Sequence, residues 1–208
     1  EALFAAVRPE GGEVAARPRG FPRSNLKRSV FVMKQSNVKK LAAAGLLCAV
    51  AVVGSIVVVF PIFGSKCAPV QHMVNILCAV CLGPWYGVGV AFCASLLRNL
   101  LGTGSILAFP GSMCGALLCG LIFWKTRNLP ATLAAEVIGT GIIGGLAAYP
   151  LAMVFLPSAA AGVAFYGYVV PFLVSTVAGS ILAGILVAAL RRSGALRAMN
   201  ASLNASHG

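Results

Sequence analysis

The sequence predicts an all-α integral membrane protein built as a bundle of about six transmembrane helices. Of its 208 residues, 59% are hydrophobic and only 10% are charged, and the mean hydropathy is +0.93. The run LAAAGLLCAVAVVGSIVVVFPIF, residues 41–63, is apolar on every face of a helix. A run of this length is long enough to cross a hydrocarbon layer of ~30 Å at a rise of ~1.5 Å per residue.

The basic residues lie almost wholly outside the apolar runs, although the formal net charge is +12. Those before the first run are Arg8, Arg17, Arg19, Arg23, Lys27, Arg28, Lys34, Lys39 and Lys40, and those after the last are Arg191, Arg192 and Arg197. Lys and Arg near the ends of membrane spans are retained in the cytoplasm. The charge pattern therefore predicts cytoplasmic termini in a cell membrane and argues against a nucleic-acid-binding face.

The N-terminal part of the chain differs in composition from the rest. Residues 1–32 are rich in Arg, Pro and Gly and lack helical or strand periodicity, so we expect a disordered extension. Met33 precedes a basic flank that runs into the first apolar segment, which suggests that the natural protein starts there. A cleaved signal peptide is the alternative, but the apolar run is too long for one. We assign the transmembrane domain to residues 33–192 and a cytoplasmic tail to residues 193–208.

Gly, Pro and charged residues divide the domain into apolar segments that we expect to be the transmembrane helices. They are 41–63, 69–83, 85–101, 106–124, 131–156 and 165–190. Gly83 and Pro84 interrupt one continuous run, and the pieces on either side are short for a full crossing. Lys125 and Arg127 fall on the cytoplasmic side, as the positive-inside rule requires, whereas Lys66 falls outside and counts against this topology.

Three ionisable residues, His72, Arg98 and Glu136, fall within the predicted helices. Burial of a charge in a membrane costs roughly several kcal/mol unless the charge has a partner or lies in a polar cavity. Arg98 could extend to the outer headgroups, and Glu136 could be a neutral acid bonded to a neighbouring helix. The alternative is a small polar pocket that contains these groups.

Arg98 and Glu136 stand beside a local repeat, NLLGTGSILAFP from Asn99 and EVIGTGIIGGLAAYP from Glu136. It arises either by chance or by duplication. The glycines remove side-chain bulk near the polar residues, and Thr103 and Thr140 can bond to a helix carbonyl or to a ligand. The second copy contains a formal G-x-G-x-x-G, but no strand precedes it, so we interpret its glycines as close helix packing.

Chemistry that needs a metal or a catalytic group has little support in the sequence. The chain has seven cysteines, including the C-x-x-C pair Cys78 and Cys81, but there is no second pair at ligand spacing. We expect no metal and no cofactor, and interpret the cysteines as small packing residues. The sequence lacks the phosphate-loop, H-E-x-x-H and G-x-S-x-G motifs. Ser112 with His72 would be the only hydrolytic pair available to an intramembrane enzyme.

Several motifs together resemble the ThiW family over about residues 39–192. They are P-x-Q-H-x-x-N from Pro69, L-G-P-W-Y from Leu82, R-N-x-x-G-T-G from Arg98, A-F-P-G-S from Ala108 and E-x-x-G-T-G from Glu136. The resemblance implies the substrate-binding membrane subunit of an energy-coupling factor transporter, an importer of the ABC type. Such a subunit has six helices and captures hydroxyethylthiazole, a thiamine precursor, or a related small vitamin precursor.

The resemblance also implies partners: a transmembrane scaffold subunit and two cytoplasmic ATPase subunits. Related subunits contact the scaffold through an A-x-x-x-A face on the first helix. This chain departs from that pattern, and its nearest equivalent is Gly45 with Ala49. We therefore expect these two residues to form the docking face.

A neutral thiazole alcohol needs a few hydrogen-bonding groups and an aromatic wall. The predicted site residues are His72, Asn75, Trp85, Arg98, Asn99, Thr103, Phe109, Glu136 and Tyr149, with Tyr166 as a further aromatic candidate. At ~1.5 Å per residue, Asn99 and Glu136 lie at different depths, so a direct ion pair between Arg98 and Glu136 is not expected. His72, Asn75 and Asn99 are ranked above Glu136 as ligand contacts, with Glu136 as a proton-bearing acid that ties helices together.

Overall fold

The architecture is a helical bundle, seen in a computed structural model that describes residues 23–62 and 65–204. Its helices are α1 (Arg23–Val57), α2 (Pro69–Cys81), α3 (Pro84–Leu100), α4 (Ala108–Thr126), α5 (Leu129–Glu136), α6 (Gly145–Phe155), α7 (Pro157–Ala160), α8 (Val169–Arg192) and α9 (Ala195–Asn204). A π-helical segment, Val137–Gly144, joins α5 to α6. Within the described residues four stretches are long and apolar enough to cross a membrane: Asn37–Val57, Ala108–Thr126, Leu129–Phe155 and Val169–Arg192. The all-α membrane fold is thus confirmed.

The first predicted span, 41–63, ends earlier than its apolar composition suggested. Helix α1 stops at Val57, and a short antiparallel hairpin follows, with β1 (Phe60–Ile62) paired to β2 (Ser65–Cys67). Consecutive β-branched residues before Pro61 favour extended backbone, and Pro61 cannot continue a helix. At its other end α1 includes residues 23–32, for which disorder was expected; a long helix, once nucleated, extends readily through such residues. Residues 1–22 and 205–208 lie outside the described part of the chain.

Helix α2 occupies the centre of the bundle. Every residue from Pro69 to Cys81 except Met73 is buried, and α1, α3, α4 and α8 all pack against it. Its 13 residues reach only about 20 Å, less than the hydrocarbon thickness. The chain then reverses at Gly83, whose φ of 93° is a left-handed conformation that glycine tolerates, and Pro84 begins α3. The predicted break at Gly83 and Pro84 is confirmed.

The π-helical segment packs closely against α4. A Cβ on Gly139 would lie 2.8 Å from the Cα atom of Gly115, and a Cβ on Gly144 would overlap the Cα atom of Gly111. The prediction that these glycines serve close packing is confirmed. The two Gly-Thr-Gly copies are structurally unlike, however, because Gly102 lies in the turn after α3 with φ 70°, whereas Gly139 is helical.

Different elements of the chain lie at the two ends of the bundle. At one end α9 returns to the start of the first span, where Lys39 Nζ donates to the Ser202 carbonyl oxygen at 3.5 Å. Leu196 and Leu203 of α9 are buried there, and Lys125, Arg191 and Arg192 lie in the last turns of α4 and α8. The other end carries the β-hairpin, the α3–α4 connection and the α7–α8 connection. The predicted tail, residues 193–208, thus contains a helix packed on the bundle.

Candidate functional site

A cavity of about 450 Å³ lies at the hairpin end of the bundle. Its polar lining consists of Gln71, His72, Arg98, Thr103, Ser105, Ser112, Thr140 and Ser175. Its apolar lining includes Leu107, Leu156, Val163, Tyr168, Pro171 and Phe172. Small-molecule sites are typically clefts of about 300–1,000 Å³ with apolar walls and a few convergent polar groups. The cavity has both properties.

One part of its polar lining is a chain of hydrogen bonds between α3, α2 and α4. Arg98 Nη1 donates to Gln71 Oε1, and Gln71 Nε2 donates to Ser95 Oγ at 3.0 Å. Ser95 Oγ lies 2.9 Å from Ser112 Oγ, which also donates to the Ala108 carbonyl oxygen at 2.9 Å. All four side chains are buried. This chain of bonds holds the Arg98 guanidinium in a defined position.

A second polar group surrounds Glu136, which is fully buried where α5 meets the π-helical segment. Glu136 Oε1 lies 3.1 Å from His72 Nδ1, and it accepts from Asn75 Nδ2 and from Thr140 Oγ1, both at 3.0 Å. Asn75 Nδ2 also donates to the Ser112 carbonyl oxygen at 3.3 Å, and Thr140 Oγ1 to that of Gly111 at 3.1 Å. Glu136 Oε2 has no partner in the described part of the chain. The carboxyl group thus ties α2 to the π-helical segment, and its partners Asn75 and Thr140 connect both to α4.

Contacts from the hairpin to α8 close the rim of the cavity. The Ala68 backbone N–H donates to Ser175 Oγ at 3.0 Å, and Cys67 Sγ donates to the Pro171 carbonyl oxygen at 3.4 Å. Burial raises the pKa of the Cys67 thiol. A thiol that stays protonated keeps its donor, so this contact holds the hairpin against α8.

Five predicted site residues belong to this polar region. His72, Arg98 and Thr103 line the cavity, and Thr103 Oγ1 donates to the Arg98 carbonyl oxygen at 3.2 Å. Asn75 and Glu136 lie directly behind the lining, bonded to His72 or to each other. No ion pair joins Arg98 to Glu136 among the described residues. Arg98 is only 5% exposed, so it does not extend toward headgroups.

The other four predicted site residues do not line the cavity. Trp85 is 77% exposed at the start of α3, about 20 Å along that helix from Arg98. Phe109 packs edge-on against Phe92, with ring centroids 5.8 Å apart. Asn99 Nδ2 donates to the carbonyl oxygens of Ser95 at 2.8 Å and Ser105 at 3.3 Å. Tyr149 is half-buried on α6, and the further candidate Tyr166 is 59% exposed.

Other cavity residues were not predicted as ligand contacts, chiefly Gln71, Phe172 and Ser175. Gln71 had a usable signal, because it lies four residues before Asn75 and so shares a helix face with it. Phe172 and Ser175 lie in an apolar run of α8 that is featureless in the sequence. Only the packing of α8 against α2 shows that these residues face the cavity.

The hydrolytic pair considered from the sequence, Ser112 with His72, is not joined by a hydrogen bond in the described part of the chain. Ser112 Oγ is bonded to Ser95 and to the Ala108 carbonyl oxygen, and no hydrogen bond joins it to His72 within the described residues. A serine nucleophile needs a base within hydrogen-bond reach. The contacts of these side chains therefore do not favour an intramembrane hydrolase.

Comparison with known proteins gives one finding. A family model described as thiamine-precursor transporter protein (ThiW) matches residues 41–193, well over half of the chain. The match includes every residue that lines the cavity. Neither the comparison with curated proteins nor the comparison with solved structures gives a match.

Proposed function

The chain belongs to the ThiW family of thiamine-precursor transporter proteins, and from this we propose that it is the substrate-binding membrane subunit of an energy-coupling factor importer. It captures hydroxyethylthiazole, or a closely related precursor, in the cavity at the hairpin end. A transmembrane scaffold subunit and two ATPase subunits then drive uptake. The sequence has no phosphate-binding loop of its own, so the hydrolysis of ATP requires partner subunits.

The observation that carries the proposal is the combination of linings in one cavity of about 450 Å³. Gln71, Ser112 and Ser175 supply neutral hydrogen-bonding groups, whereas Tyr168 and Phe172 supply an aromatic wall. A thiazole with a hydroxyethyl arm needs both kinds of contact. The size of the cavity suits one small molecule rather than a continuous pore.

The binding experiment compares leucine substitutions at two phenylalanines. Phe172→Leu removes the aromatic face from the cavity, whereas the matched control Phe165→Leu changes a ring that is 62% exposed and does not line it. We expect Phe172→Leu to weaken hydroxyethylthiazole binding about threefold to tenfold, the equivalent of about 0.5–1.5 kcal/mol of aromatic contact, with little effect of the control. Isothermal titration of detergent-purified protein measures both.

The identity of the ligand is tested on the same material by mass spectrometry of small molecules that co-purify with the protein. Retention of a thiazole by the wild type supports the proposal. Preferential retention of a different vitamin would replace the thiazole assignment but leave the cavity as the site. Equal affinities in Phe172→Leu and Phe165→Leu would place the ligand elsewhere.

The proposed orientation places the basic end of the bundle in the cytoplasm and the cavity toward the outside. Lys125 lies in the last turn of α4, and Arg191 and Arg192 lie in the last turn of α8, at the same end as Lys39. The positive-inside rule assigns that end to the cytoplasm. A ligand then enters from the outer side, as import requires.

Thiol labelling in intact cells checks this orientation. Single cysteines replacing Asn37, Asn128 or Ser193 in a cysteine-free background are expected to resist an impermeant maleimide until the cells are permeabilised. A cysteine replacing Ala161, an exposed residue in the connection after α7, is the matched outer control and should react at once. The opposite labelling pattern would invert the topology.

The docking surface proposed for the scaffold is the exposed face of α1 around Gly45 and Ala49. Both residues are exposed, and nothing lies within 4 Å of a Cβ placed on Gly45. Small residues four apart let a second helix approach closely. Within the described residues nothing covers Gly45, so we propose that this face receives a helix of the scaffold.

Bulky residues on that face are expected to separate binding from transport. The double variant Gly45→Leu/Ala49→Leu should reduce co-purification of the scaffold at least about tenfold, because two side chains hold the helices apart. Binding of hydroxyethylthiazole by the isolated subunit should stay unchanged, because neither residue lines the cavity. Val50→Leu, at an exposed position about 100° around the helix from Ala49, is the control. Full ATP-dependent uptake by the double variant would place docking elsewhere.

A further inference from the structure

Arg98 places an incompletely satisfied guanidinium on the wall of the cavity. The side chain lies in the last turn of α3, is 5% exposed and lines the cavity. Nη1 donates to Gln71 Oε1, but Nε has no hydrogen-bond partner in the described part of the chain. A buried donor on a charged group is costly to leave unpaired. The position therefore calls for an acceptor that the described side chains do not supply.

The charge of Arg98 is also uncompensated within the described residues. The sequence contains no Asp, and its four acidic residues are Glu1, Glu10, Glu13 and Glu136. Of these, the structure describes only Glu136, whose Oε1 is already engaged by His72, Asn75 and Thr140. Arginine inside a membrane protein normally pairs with an acid or faces a water-filled site. The cavity is therefore electropositive at Arg98.

The start of α4 adds to the positive potential of the same wall. Leu107 and Ala108 line the cavity where this 19-residue helix begins, and a helix N-terminus carries partial positive charge. Its first N–H groups are already used: Leu107 N–H donates to Ser105 Oγ at 3.3 Å, and Ala108 N–H to the Ser105 carbonyl oxygen at 3.0 Å. The helix thus contributes its dipole to the cavity wall, while Arg98 contributes a full positive charge.

The guanidinium is fixed before any ligand arrives. Gln71 accepts from Arg98 and is itself held by Ser95, which is held by Ser112. The backbone carbonyl of Arg98 accepts from Thr103 N–H at 2.9 Å and from Gly104 N–H at 2.8 Å. A donor that is held in place loses little entropy when it binds, which increases affinity. These contacts are typical of a recognition group and not of a mobile surface arginine.

We propose that the ligand carries an oxyanion, a phosphate monoester or a carboxylate attached to its heterocycle, and that Arg98 binds this anion inside the cavity. The inference rests on the proposed function, in which the thiazole ring lies against Phe172 and Tyr168 in the same cavity. It narrows the substrate class from a neutral alcohol to an anionic thiazole. Arginine binds carboxylate and phosphate through charge-assisted hydrogen bonds, which are about twice as strong as neutral ones.

The test measures the binding of four probes to detergent-purified protein: hydroxyethylthiazole, its phosphate monoester, a thiazole carboxylate and inorganic phosphate. We expect the wild type to bind one of the anionic thiazoles at least about tenfold more tightly than the alcohol, with an affinity that falls as salt increases. The anion that is preferred identifies its source. Arg98→Gln should reduce the preference to about threefold or less, because the amide keeps a polar contact but no charge.

Two further variants separate recognition from folding. Arg98→Lys keeps the charge but lacks the planar fork, so it should retain part of the salt-dependent preference. Arg192→Gln removes an exposed cation at the other end of the bundle and should change nothing. Without ligand, Arg98→Gln should unfold at a temperature equal to or above that of the wild type, because an unpaired buried charge has been removed. A structural arginine would give the opposite shift.

The outcomes distinguish failure of the anion site from failure of the thiazole function. If the alcohol binds as tightly as both anionic thiazoles in wild type and Arg98→Gln alike, the anion site is overturned and the thiazole function stands. If no thiazole binds but inorganic phosphate raises the unfolding temperature of the wild type and not of Arg98→Gln, the anion site stands and the thiazole function fails. If no probe binds, both fail. A lower unfolding temperature of unliganded Arg98→Gln, with unchanged anion preference, would make Arg98 a structural residue.

Discussion

Replacing Gly144 with alanine is expected to destabilise the protein strongly, because the added methyl group has no room. Gly144 lies in the π-helical segment, where a Cβ would overlap the Cα atom of Gly111 on α4. The obstacle is backbone, which cannot rotate away as a side chain can. Overpacking of a tight interface costs about 1–3 kcal/mol and sometimes more, so we expect a fall of several degrees in the unfolding midpoint of the purified protein.

Gly89→Ala is the matched control, because Gly89 is an exposed residue in α3 with nothing within 4 Å of its Cβ position. Alanine in a helix is favoured over glycine by about 0.5–1 kcal/mol, so this variant should be as stable as the wild type or more stable. Intrinsic tryptophan fluorescence during heating compares the two. A Gly144→Ala variant as stable as Gly89→Ala would show that the two backbones are not in contact.

Removing the Glu136 carboxyl group is expected to have the second large effect. Glu136→Ala leaves His72 Nδ1 without its partner and removes one of the two acceptors of Asn75 and of Thr140. An unsatisfied buried polar group costs about 1–3 kcal/mol, and truncation of this fully buried side chain also leaves a cavity, which adds to the loss. We expect Glu136→Ala to unfold below the growth temperature or to fail to accumulate.

Glu136→Gln distinguishes the hydrogen-bonding role of this residue from a role of its charge. The amide oxygen can accept from the same three donors, so a loss of about 1 kcal/mol or less is expected if the carboxyl group is a proton-bearing acid. Thr126→Ala, which removes an exposed bond of 2.7 Å to the Ile122 carbonyl oxygen, is the control for loss of a single hydrogen bond. Equal damage by Glu136→Gln and Glu136→Ala would show that an ionised carboxylate is essential.

Much of the fold follows from local features of the sequence. The apolar runs, the break at Gly83 and Pro84, and the pairs of small residues each act within one or two helical turns, so they could be predicted without knowledge of the packing. The hairpin was missed because Val57 to Ile62 is as apolar as the helix before it. Hydropathy records burial in lipid, whereas the end of α1 depends on backbone preferences.

The candidate site was predicted only in part, because its residues meet across helices. His72, Arg98 and Thr103 stood out as polar residues in apolar segments, and the structure places all three at the cavity. Trp85 and Phe109 had no comparable signal, because an aromatic residue in an apolar run has the same appearance whether it faces lipid or a ligand. Which face turns inward depends on how α3 and α4 rotate against α2, and that rotation is fixed by long-range packing.

The burial of α2 has a consequence for how the protein is made. Its segment contains Gln71, His72 and Asn75 in only 13 residues, a composition and length that insert poorly into a bilayer alone. One of its packing partners, α8, begins at Val169 and is synthesised about a hundred residues later. In a nascent chain that has emerged only as far as α6, these polar groups lack the packing that α8 later provides. Biogenesis of the subunit therefore depends on its last span, and premature termination before that span should yield a product that membrane quality-control proteases degrade.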